Sequence, residues 1–158
     1  MSDVWFYHLE RQRVEAVLPG LVEKSRQRGW RVVIETPLSE QMASLDHLLW
    51  TFRDDSFVPH GTSSDADPES QPVYLTTGSE TPNHAEVRFL VAGADPLVCL
   101  EGAPATGAAG HQRVVVLFDG RDTEAVARAR DCWRALKTSA HVLSYWQQSD
   151  EGGWQKKA

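Results

Sequence analysis

The chain has 158 residues, with 22 acidic against 16 basic side chains and a formal net charge of −6. That length suits one domain whose core needs no disulfide or metal staple, and the negative balance argues against broad electrostatic binding of nucleic acid, which needs a sizeable basic surface. Cys99 and Cys132 have no second Cys or His at ligand spacing, so they read as reduced thiols and not as a zinc site. The opening residues 1–4 lack a basic signal region, and no stretch approaches the roughly 20 apolar residues of a membrane span. The expectation is a cytoplasmic protein without membrane contact.

Val4-Trp5-Phe6-Tyr7-His8 is aromatic and β-rich, and Val14, Val17, Leu18, Leu21 and Val22 follow at helical spacing up to Gly29. Pro19 and Gly20 in that helix predict a kink. Arg31 to Thr36 carries the continuous apolar run of a strand covered on both faces. Ser39 is the predicted N-cap of a second helix, with Met42, Leu45, Leu48, Leu49 and Phe52 as its buried stripe. A surface loop rich in Gly, Ser, Asp and Pro spans 61–72, and short strands are expected at 73–75 and 87–91. A short helical piece is expected at 95–100, ahead of a Gly/Ala-rich connection over 101–112. Val114 to Phe118 reads as a central strand, Thr123 as the cap of a helix to about Thr138, and Val142 to Trp146 as a final strand. This alternation predicts a single-domain α/β fold over 1–150, a Rossmann-like open, mostly parallel sheet of about five strands with helices on both faces. Residues 151–158 read as a C-terminal tail.

Tests for chemistry return little. A dinucleotide site needs a Gly-rich turn after the first strand, yet His8-Leu9-Glu10-Arg11 has no glycine. Asp119-Gly120-Arg121-Asp122 follows a strand and reads as turn chemistry, with Asp122 and Glu124 favouring the helix N-terminus over a catalytic carboxylate. The histidines at 8, 47, 60, 84, 111 and 141 are scattered, and no Gly-x-Ser-x-Gly elbow is present. No cofactor, no metal and no enzymatic activity are expected.

Two stretches are harder to explain by fold alone. Trp50, Phe52, Phe57 and Pro59 gather aromatic and apolar bulk at a helix end and in the next loop; both a partner anchor and a loop folded over the core explain them. In the helix from Thr123, Val126, Ala129, Trp133, Leu136 and Ala140 form one face, beside which Arg130, Arg134 and Lys137 align, with Arg128 nearby. A basic stripe beside an aromatic suits an acidic peptide with an apolar residue or a terminal carboxylate. A solvated face paired with Asp131 explains the same pattern equally well.

Trp5-Phe6-Tyr7-His8-Leu9, Leu49-Trp50-x-Phe52 with Ser56-Phe57-Val58-Pro59-His60, Phe118-Asp119-Gly120, Ala129-Arg130-x-x-Trp133-Arg134, and His141-x-Leu143-x-Tyr145-Trp146-Gln147-Gln148 with Gly153-Trp154 together resemble the chi subunits of bacterial DNA polymerase III. The resemblance implies a non-catalytic accessory subunit of the holoenzyme, in the clamp-loader complex, acting in DNA replication. It implies that Arg130, Trp133 and Arg134 receive the acidic, Phe-ended C-terminal tail of the single-stranded DNA-binding protein, the arginines taking carboxylates and Trp133 forming the phenyl pocket wall. Lys137 and Arg128 extend that charge. The family commonly has Lys where this chain has Arg134, a change that keeps the charge and alters its geometry. A second face at Trp50, Phe52, Phe57 and Pro59 is implied for the psi subunit or another clamp-loader component, or for a helicase. The alternatives are a nucleotide-binding or hydrolytic enzyme on the same fold, and a direct binder of single-stranded DNA; specific nucleic-acid binding is not expected.

Overall fold

The computed structural model describes residues 3–10, 13–51, 61–62, 71–78, 84–94, 112–138, 141–148 and 154–157, with backbone alone at 49–51 and 61–62. The elements run β1 (Asp3–Leu9), α1 (Val14–Gln27), β2 (Val32–Glu35), α2 (Ser39–Thr51), β3 (Gly61–Thr62), β4 (Val73–Thr76), β5 (Val87–Leu90), β6 (Arg113–Asp119), α3 (Thr123–Lys137), β7 (Val142–Gln148) and β8 (Trp154–Lys156). They build an 8-stranded sheet in the order β3-β4-β2-β5-β6-β1-β7-β8. Every pairing is parallel except that of β7 with β8. The α/β, mostly parallel fold expected from the sequence is therefore observed. The strand count exceeds the expected number of about five, and the two strands that no sequence segment suggested, β3 and β8, lie at the edges and are too brief to show any periodicity.

Side-chain alternation divides the sheet into its faces. Tyr7, Val115 and Leu117 join Leu18 and Val22 of α1 and Leu45 of α2 in one core. Val4, Phe6, Val114, Val116 and Phe118 point the other way and pack against Ala129 and Leu136 of α3. Burial of both faces explains why β6 reads as an unbroken apolar run.

Several local signals resolve differently from the sequence. α1 runs unbroken through Pro19, which is buried beside Leu18 and Val22; packing of that stripe outweighs the missing amide donor. Gly29 ends this helix at φ +81, a backbone conformation that favours glycine. Ser39 is the first residue of α2 and not its cap, since Leu38 O already accepts from Met42 N at 3.0 Å. Asp122, and not Thr123, caps α3: its Oδ1 accepts from Glu124 N at 3.0 Å and Ala125 N at 3.3 Å. The segment read as a tail contributes β8, and Trp154 stacks on Tyr7 with centroids 4.5 Å apart.

Candidate anion-binding site

The chain leaves β1 and β6 in opposite directions, α1 leading to β2 on one side and α3 carrying β6 over β1 to β7 on the other. Open α/β sheets bind ligands at the carboxyl ends of strands beside such a switch. The two strand ends are tied together here by Gly120 N donating to Leu9 O at 2.6 Å.

Alternation puts Phe6 and His8 of β1, Phe118 of β6 and Tyr145 of β7 on the α3 side of the sheet, where Trp133 meets them. Trp133 packs edge-on to Phe6 at 5.5 Å and to Tyr145 at 5.8 Å between centroids. His8 lies 5.1 Å from Phe118, and its Nδ1 is 2.7 Å from Tyr145 Oη. Glu10 Oε1 stands 3.5 Å from His8 Nε2 and accepts from Gln147 Nε2 at 2.6 Å. Trp133 is thus a half-buried wall of an aromatic floor and not an isolated surface ring.

The cations of α3 divide around that floor. Arg130, Arg134 and Lys137 are exposed on the flank that carries Trp133. Arg130 makes no ion pair among the described residues and is close enough to influence both His8 and Tyr145 electrostatically. Arg134 Nη1 is 3.5 Å from Asp131 Oδ1, but side chains 75% and 76% exposed hold one another only weakly, leaving the guanidinium available. Arg128 faces the opposite flank, where its guanidinium lies over Gly93 in the turn after β5. There it lines a separate cleft of about 960 Å3 with Arg13, Asp119, Arg121 and Asp122 over an apolar base.

Burial, followed by Arg130, holds His8 below its usual pKa, while Glu10 and Asp119 pull upward. Tyr145 is raised, mainly by burial. Asp119 is held low by hydrogen bonds from Arg121, whose backbone N and side-chain Nε lie 2.9 and 3.1 Å from Oδ1. This is the turn chemistry expected of Asp119.

Of the residues singled out from sequence, Arg130, Trp133, Arg134 and Lys137 share one flank and Arg128 does not join them. Trp50 belongs to α2, though its side chain lies outside the described residues, as do Phe52, Phe57 and Pro59. His8 and Tyr145 were not assigned a role from sequence, although they lie near the end of β1 and in β7 with matching parity. Among the described residues no group of His, Cys, Asp and Glu could hold a metal ion, and no helix is long and apolar enough to cross a membrane. Cys132 is half-buried and forms no disulfide among the described residues.

Comparison with known proteins bears on the fold and the family. A domain 2 of the Mss116p DEAD-box helicase bound to an RNA duplex superposes with a TM-score of 0.55 at 13% identity, covering 94% of this chain and 66% of that one, a likeness of fold alone. A probable DNA polymerase III subunit chi of Rickettsia prowazekii is 30% identical over 95 residues, which is 60% of this chain and 58% of the relative. A DNA polymerase III subunit chi of Pseudomonas aeruginosa is 34% identical over 67 residues, 42% of this chain and 46% of the relative. The chain thus spans about half the length of these curated relatives. The sequence family described as "DNA polymerase III chi subunit, HolC" matches residues 1–144, and the chain belongs to that family.

Proposed function

We propose that this chain is a non-catalytic, cytoplasmic accessory subunit of the DNA polymerase III holoenzyme that binds the acidic, Phe-ended C-terminal tail of single-stranded DNA-binding protein and links it to the clamp loader during replication. The carrying observation is the α3 flank: exposed Arg130 and Arg134 border the half-buried rings of Trp133 and Tyr145, which Trp133 joins to the buried Phe6, in a protein of net charge −6. A peptide with carboxylates beside a terminal phenyl group matches both halves of that surface. Trp50, Phe52, Phe57 and Pro59 are the proposed second face, for a psi subunit, another clamp-loader component or a helicase. The non-catalytic reading is supported by the glycine-free turn after β1 and by the engagement of Asp119 with Arg121.

Fluorescence-anisotropy titration of a labelled acidic peptide ending in Asp-Ile-Pro-Phe tests the reading, at low and moderate salt. The wild-type protein binds saturably and more weakly as salt rises, because exposed charges are screened over about 8 Å at physiological ionic strength. Arg130→Ala weakens binding by about ten- to a hundredfold through loss of charge-assisted hydrogen bonds. Undiminished binding by Arg130→Ala overturns the assignment.

A further inference from the structure

His8 is half-buried among groups that bear on its charge. Glu10 lies beyond it on its own chain segment, Asp119 with its partner Arg121 at the end of β6, Tyr145 on β7 and Arg130 on α3. The Glu10 carboxylate only accepts and stands 3.5 Å from Nε2, so it favours the neutral tautomer that carries its proton on Nε2. In that tautomer Nδ1 is the acceptor of the 2.7 Å contact and takes the hydroxyl hydrogen of Tyr145. In that state Tyr145 has nothing to donate to an incoming anion.

Protonation of His8 reverses the bond. One proton from solvent on Nδ1 turns that nitrogen into a donor toward Tyr145 Oη, and the hydroxyl hydrogen is released to point away from the ring. A carboxylate arriving beside Arg130 then gains a hydroxyl donor and a half-buried positive charge behind it. We infer that His8 and Tyr145 form an anion subsite in the floor beneath Arg130, and that binding a peptide carboxylate there is coupled to uptake of one proton by His8. The inference rests on the tail reading above and adds its acceptor group and its pH dependence.

The sign follows from linkage. His8 is held below its usual pKa in the free protein, mainly by burial, and an adjacent anion raises it. Binding therefore tightens as pH falls through the window between the free and the bound value. The acidic side chains and terminal carboxylate of the peptide stay ionised above about pH 5.5, so they add no slope of their own there.

The experiment is the same labelled peptide titrated at fixed ionic strength between pH 8 and 6 against the 158-residue wild-type chain, His8→Gln and Tyr145→Phe. In the wild type Kd falls with pH, by up to about tenfold per unit, and the slope is lost in both variants. An NMR titration of the His8 Hε1 resonance in the wild type, with and without peptide, reads the same coupling without mutation, and the peptide shifts its midpoint upward. Saturable binding with no pH slope, or an unmoved His8 midpoint, overturns this inference and leaves the tail reading intact. Absence of peptide binding at every pH overturns both.

Discussion

Glu35→Leu is expected to destabilise the fold by about 3–5 kcal/mol, the loss typical of removing one partner from a buried ion pair. Arg88 is fully buried in the middle of β5, and its Nε donates to Glu35 Oε1 at 2.8 Å across the β2/β5 pairing. A second guanidinium nitrogen, Nη2, donates to the same carboxylate and to Gly78 O. Leucine matches the bulk of Glu35 but leaves the guanidinium without that charge in a low-dielectric interior. The double substitution Glu35→Leu with Arg88→Leu is expected to recover most of the loss, since apolar replacement of a whole buried pair is often neutral. Denaturant midpoints of the two single variants and the double check this. A double variant as unstable as the single would show that Arg88 matters through its shape and not its charge.

Gly120→Ala is expected to cost about 1–3 kcal/mol from overpacking. A Cβ there would collide with the His8 imidazole and stand 2.8 Å from the Leu9 carbonyl oxygen. Backbone cannot yield, because Gly120 N is already bonded to Leu9 O at 2.6 Å, so the His8 ring must move. The variant should therefore lose stability and disturb the His8–Tyr145 contact together. Thermal unfolding and the His8 NMR signal check the two effects, and an unshifted His8 resonance in a folded variant would contradict the packing.

Much of the fold was legible because its elements are covered on both sides. The continuous apolar runs of β2 and β6 and the stripe of α3 survive any local competition, which is why parallel α/β order follows from the alternation of elements. Caps were less legible, because neighbouring side chains compete for the same amides: Asp122 wins over Thr123 by position alone. β8 was hidden because three residues carry no period, and its place depends on Trp154 finding Tyr7. At the site, the i, i+4 spacing of Arg130 and Arg134 told which cations share a flank, and the same helical geometry separates Arg128 from them. His8 and Tyr145 were not legible as a pair because 137 residues part them and the parallel register alone brings them together.

The most direct test of the central claim follows the indole N–H resonances of the six tryptophans as the Phe-ended acidic peptide is added. The account predicts that Trp133 shifts saturably, while Trp5 and Trp154, on the opposite face of the sheet, do not move. Shifts that spare Trp133 and fall on Trp50, or on Trp5 and Trp154, would contradict it and move the binding surface off α3.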